Sequence, residues 1–123
     1  MKNYDHVKFS WRSYNCAHFT REVWLDLTGV DLGLRVPTDI SRQTIMDAFE
    51  LGEREVVGRL IREIPEATDP CLVLLSPGVR CVPHCGVYVN GALLHLPKGG
   101  KVAHQKLEDV MEQGGFKSVR YFR

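Results

Sequence analysis

The dipeptide Asn90-Gly91, set between the apolar runs at 84–89 and 92–96, constrains this chain more than any other feature. Both central positions of a two-residue hairpin turn need positive φ, which Asn tolerates and Gly adopts freely, so the flanking runs are expected to pair as antiparallel strands. The turn also sets the register: Val89 falls opposite Ala92, Gly86 opposite His95 and His84 opposite Pro97. Side chains alternate faces along a strand, which puts His84, Gly86 and Tyr88 on the same face as Leu93 and His95. His84 and His95 are then diagonal neighbours with Cβ atoms about 7–8 Å apart, close enough for their rings to hydrogen-bond. Gly86 leaves the His95 ring room.

Upstream, the period is helical. Cys16, Phe19, Val23, Trp24 and Leu27 recur at steps of three and four, with Asn15 able to cap the start and Gly29 the end. A second helix is expected from a cap at Thr38 or Ser41 to about Gly52, with Ile45 and Phe49 inward. A third would carry Val56, Val57, Leu60, Ile61 and Ile64 on one face before Pro65. The pattern then changes. The run Cys71-Leu-Val-Leu-Leu75, bounded by Pro70 and by Ser76-Pro77-Gly78, reads as a buried central strand. Gly99-Gly100 makes a turn, residues 105–113 a brief helix with Leu107, Val110 and Met111 inward, and residues 117–122 a last strand. Helices first and antiparallel strands second describe an α+β domain. A chain of 123 residues holds one such domain, 1–123, with a single core.

Charge and composition exclude several classes. Sixteen Lys and Arg against fifteen Asp and Glu, scattered along the chain, lack the basic footprint of a nucleic-acid binder. No window approaches the roughly 18 apolar residues of a membrane span, and residues 1–12 lack the apolar run of a signal peptide. Synthesis in the cytoplasm is expected, with neither membrane nor nucleic acid as partner. Four cysteines, Cys16, Cys71, Cys81 and Cys85, are few for a disulfide framework and read as reduced thiols. Cys81, His84 and Cys85 superficially offer zinc ligands, yet adjacent His84 and Cys85 point to opposite strand faces, so no metal is expected.

Two imidazoles on one face supply a base and a group to orient it; the missing member of such a set is a nucleophile. A cysteine on an apolar helix stripe is more often a core residue, as Cys71 and Cys85 are read to be. Cys16 differs in its position. A thiol in the first helical turn sees the positive end of the helix dipole, which favours the thiolate, beside backbone N–H groups without intrahelical partners that can meet an oxyanion. His18 lies about 200° round the helix from Cys16 and is expected to face away. His104 reads as a solvated turn residue and Glu53-Arg54-Glu55 as a solvated helix face. Trp11 and Tyr14, just before the helix, serve either as walls of a substrate groove or as packing.

These residues resemble the NlpC-like, papain-like cysteine peptidases of bacterial cell walls and phage tails. The likeness lies in Asn15-Cys16 opening a helix and in three strands, Asp69-Pro70-Cys-Leu-Val-Leu-Leu75, His84-Cys-Gly-Val-Tyr88 and Ala92-Leu-Leu-His95, and it covers most of residues 13–122. It implies a papain-like α+β domain, N-terminal helices packed on a small antiparallel sheet, with Cys16 as nucleophile, His84 as base and His95 as the orienting third residue. It also implies amide hydrolysis through a thioester without a cofactor. The implied substrate is a peptide or peptidoglycan fragment, met by a protein delivered with a phage or prophage tail among tail proteins. Asn15 stands where the family usually carries an acid that receives the muropeptide amine, so substrate contacts are expected from Trp11, Tyr14 and Asn15 in a pocket of different character. Two alternatives use the same fold: an amidase, thioesterase or acyltransferase, and a non-catalytic tail assembly module.

Overall fold

The first helix begins where a side chain can satisfy its start. The computed structural model describes residues 3–10, 14–33, 42–77 and 83–123; the expected caps Thr38 and Ser41, with Trp11 and Cys81, lie outside them. Asn15 caps α1 (Cys16–Thr28), and Gly29 closes it at φ 76° with its N–H on the Leu25 carbonyl. The buried stripe is Cys16, Phe19, Thr20, Val23 and Trp24. Leu27, expected on that stripe, is 40% exposed, because the last turn of α1 stands clear of the core.

The second helix, α2 (Arg42–Val56), runs through Gly52 rather than stopping there. Ile45 is buried as expected. The expected third helix does not form. Gly58 adopts φ 84° and gives its N–H to the Ile61 carbonyl, breaking the helical path, and Glu63–Ile64 become a short strand, β1, paired with the C-terminal strand. An apolar spacing of three and four is served here by a turn and a sheet edge.

The strands β2 (Cys71–Ser76), β3 (His84–Val89), β4 (Ala92–His95), β5 (Ala103–Gln105) and β6 (Ser118–Phe122) complete a six-stranded sheet in the order β1-β6-β2-β3-β4-β5, antiparallel throughout. Strand β2 is central, and its apolar run is covered on both faces. On one face Phe19, Val23 and Trp24 of α1 pack with Leu72, Val87, Leu94 and Phe122. On the other, Val110, Leu107 and Met111 of α3 (Leu107–Gly114) pack with Cys71, Val73, Leu75 and Leu93. Complete burial of an aliphatic or aromatic side chain contributes about 1.5–3 kcal/mol, so the packing of α1 and α3 on opposite faces stabilises the sheet between them.

Strand β5 departs from the sequence reading. Residues 103–105 extend along the free edge of β4, with Leu93 opposite Gln105 and His95 opposite Ala103, so Gln105 ends a strand and the helix starts only at Leu107. His104 is accordingly a strand residue whose Nε2 bonds the Val89 carbonyl at 2.7 Å. Glu53, read as part of a solvated face, instead pairs with Arg120 of β6, which also holds Glu63.

The hairpin turn has Asn90 at φ 54° and Gly91 at φ 78°, and Val89 pairs with Ala92 as the turn requires. Asp69 accepts the N–H groups of Asn90 and Gly91 at 3.1 and 3.2 Å, tying the turn to the start of β2. A β-branched residue in the left-handed region is strained by about 1–3 kcal/mol. Gly91→Val should lower the unfolding free energy by that amount in urea titrations, and Gly91→Asn by less.

Candidate functional site

The start of α1 is built tightly. Asn15 is buried; its side-chain oxygen accepts the Ala17 N–H at 2.9 Å, and its own N–H donates to His18 Nδ1 at 3.0 Å. This is a capping box with His18 in the place usually taken by Glu or Gln. Burial holds the His18 pKa below its ordinary value, which suits a ring that accepts. Tyr14 stacks on His18 with centroids 5.6 Å apart and packs against the core; its buried hydroxyl has no hydrogen-bond partner among the described residues. Asn15 thus commits its carboxamide oxygen to the helix, and Tyr14 keeps a free polar tip.

Strands β3 and β4 bring the two histidines together. His84 Nε2 lies 2.7 Å from His95 Nδ1, the rings meeting edge to face at 76° with both side chains buried. The room comes from Gly86. A Cβ there would stand 2.9 Å from the Leu94 carbonyl oxygen and 3.0 Å from the His95 Cβ. His95 continues the chain outward, its Nε2 lying 2.8 Å from Gln105 Oε1. Phe116 stacks on the His84 ring at 5.8 Å and 18°, in space that a Cβ on Gly114 would occupy.

Cys16 completes the cluster. Its sulfur lies close enough to Cys85 and His84 for both to bear on its titration. By strand alternation His84 and Cys85 face opposite sides of the sheet. His84 is the first residue of β3, so both sit at the end of the strand. The neighbouring Cys85 first, and then the charge of His84, draw the Cys16 pKa well below that of an ordinary thiol against the opposing effect of burial. Cys85 moves the other way, pushed up by the neighbouring Cys16 sulfur and by burial, while Thr20 Oγ1 sits 3.2 Å from its sulfur. His95 is lowered to about 4 by burial and by the charge of His84. Cys71 is a core thiol raised by burial.

Of the residues singled out from sequence, Cys16, His84 and His95 meet in one cluster, Tyr14 and Asn15 sit beside it, and Trp11 lies outside the described residues. Sequence reasoning passed over Gln105, Phe116 and the contact of Cys85 with Cys16. Cys85 carried a usable signal, being next to His84 in a strand that must pass the start of α1. An apolar cavity of about 90 Å³ is lined by Asn15, Ala17, Thr20 and Cys85 together with Phe49 and Ile61. Among the described residues no three His, Cys, Asp or Glu side chains are grouped to hold a metal ion, and no helix is long and apolar enough to cross a membrane. No family model, curated protein or solved structure matches the chain.

Two outcomes follow from this geometry. Overpacking at Gly86 costs about 1–3 kcal/mol, so Gly86→Ala should lower thermal stability and displace the His95 ring, read as changed imidazole resonances. Native His95 binds its proton only near pH 4, whereas the unfolded imidazole binds near 6.5. Between those values the denatured chain holds the extra proton, so stability falls as pH falls through this window, by at most about 1.4 kcal/mol per pH unit for this one group. Urea titrations from pH 7 to pH 4 should show a steeper loss for the wild type than for His95→Gln.

Proposed function

We propose that this protein is a cysteine hydrolase, a papain-like domain of the NlpC type, in which Cys16 is the nucleophile, His84 the general base and acid, and His95 the residue that orients His84. The observation that carries the reading is the 2.7 Å contact that joins His84 to His95, with the lowered Cys16 thiol supporting it. A thiol, a base within hydrogen-bonding reach and a third group holding the base make up the apparatus of nucleophilic acyl transfer.

The chemistry follows from those positions. His84 takes the Cys16 proton, and the thiolate attacks a substrate carbonyl carbon to give a tetrahedral oxyanion. The Asn15 cap satisfies Ala17 and His18 but not the Cys16 N–H, which is placed to donate to that oxyanion. His84 then returns the proton to the leaving amine as the C–N bond breaks, leaving a thioester. Water, deprotonated by His84, attacks the thioester; the acid departs and Cys16 recovers its proton. Phe116 over the His84 ring keeps water from competing for its hydrogen bond to His95.

The resemblance in the motifs around Cys16, His84 and His95 supports an amide bond of cell-wall peptide as substrate, in a phage or prophage tail setting. The apolar cavity beside Ala17 and Cys85 favours a second reading, an amidase, thioesterase or acyltransferase that seats an aliphatic or aromatic acyl group. A non-catalytic tail module would need no activated thiol. Iodoacetamide at neutral pH separates these classes: Cys16 should be alkylated fastest of the four thiols, and Cys16→Ala should remain folded while losing all turnover of purified muropeptides or of a fatty-acyl thioester. Labelling of Cys16 no faster than Cys81 would overturn the enzyme reading. Product masses then distinguish a peptidase from a thioesterase.

A further inference from the structure

The hydrogen-bonded chain does not end at His95. Gln105, the last residue of β5, stands opposite Leu93 and therefore on the same sheet face as His95, two residues along β4. Its Oε1 is 2.8 Å from His95 Nε2. A carboxamide oxygen only accepts hydrogen bonds, so the hydrogen in this contact belongs to His95 Nε2. A neutral imidazole has one N–H, which leaves His95 Nδ1 as a lone pair. The 2.7 Å contact on that side must then be filled by an N–H on His84 Nε2. With Nε2 protonated, neutral His84 presents Nδ1 as its lone pair, the only ring atom left to receive a proton from Cys16.

We infer that Gln105 is a positioning residue: its side-chain oxygen selects the tautomer of His95 and, through it, that of His84, so that a proton acceptor faces Cys16. The inference rests on the reading of Cys16 as nucleophile and names the residue that makes His84 a competent base. With the carboxamide reversed, an N–H would meet His95 Nε2, His95 would carry its hydrogen on Nδ1, and His84 would accept at Nε2. Neutral His84 would then turn an N–H toward Cys16 and could take no proton from it.

The surroundings leave this task to the amide. The groups bearing on His95 are His84, His104 and Gln105. Those bearing on Cys16 are Cys85 and His84, and His18 stands near enough to feel its charge. None is a carboxylate. His104 is turned to the Val89 carbonyl. The amide oxygen accepts from His95 Nε2 and orients the ring without adding a charge. His84 can then become an imidazolium during the reaction with its Nε2–H already bonded to a lone pair. A one-residue slip of β5 would put His104 or Lys106 in place of Gln105 and break the arrangement.

The test combines imidazole nitrogen spectra of histidine-labelled full-length protein with the pH profile of Cys16 alkylation by iodoacetamide. In the wild type at pH 7, His95 should be the Nε2–H tautomer. Gln105→Met, similar in size but unable to bond, should lose that preference. It should slow Cys16 alkylation at pH 6.5 by about ten-fold or more, the worth of one hydrogen bond to a charged relay, and move the profile to higher pH. Gln105→Glu, which keeps the acceptor, should restore much of the rate. A purely structural role would change folding stability and leave the profile of folded protein where it was. A wild-type His95 with its hydrogen on Nδ1, or an unaltered profile in Gln105→Met, overturns the inference. Should Gln105→Met fail to fold, the wild-type spectrum and Gln105→Glu decide. Should wild-type Cys16 prove unreactive, the hydrolase reading falls, while the tautomer spectrum still judges Gln105 separately.

Discussion

His84 and His95 can share a hydrogen bond only while β3 and β4 keep one register, and that register is held by a turn of two residues. A slip by one position would send every side chain of one strand to the opposite face, moving His95 to the α1 side and Leu94 into the polar cluster. Three features resist it. Asn90 and Gly91 occupy the left-handed region the tight turn demands, Asp69 clasps their N–H groups, and Val87 and Leu94 are paired within the core beneath α1. The polar contact is thus imposed by apolar packing on the other face of the sheet.

That arrangement has an energetic consequence for the histidines. Two buried imidazoles lose their hydration, and each ring nitrogen left without a partner would cost about 1–3 kcal/mol. His95 has both nitrogens engaged, one by His84 and one by Gln105. Burial, with the charge of His84, keeps His95 neutral at pH 7.

The cluster and its surroundings speak to different parts of the proposed reaction. As proposed, Cys16, His84 and His95 would serve acyl transfer in general and be indifferent to the group transferred. Asn15 uses its carboxamide oxygen in the helix cap, and the neighbouring cavity is lined mainly by apolar side chains. A free amine gains little there, whereas an apolar acyl or side-chain group is accommodated. On the proposed reading, substrate choice is a matter of the space between α1, α2 and the sheet rather than of Cys16, His84 and His95.

Much of this was written locally. A cap followed by apolar steps of three and four specifies α1, and Asn90-Gly91 specifies β3, β4 and their register, so the meeting of His84 with His95 and the room left by Gly86 were readable from short-range rules. What tertiary structure decided involves partners distant in sequence. Residues 56–64 carry a helical spacing, yet Gly58 turns them and β6 draws Glu63 and Ile64 into the sheet. Residues 103–105 have little strand character and become β5 because β4 offers an unpaired edge, and only then does Gln105 reach His95. The contact of Cys85 with Cys16 and the stacking of Phe116 on His84 likewise arise where elements meet. Local propensity acts through neighbours in the chain and could specify the hairpin; the groups that tune its histidines were supplied by packing, which the linear pattern does not encode.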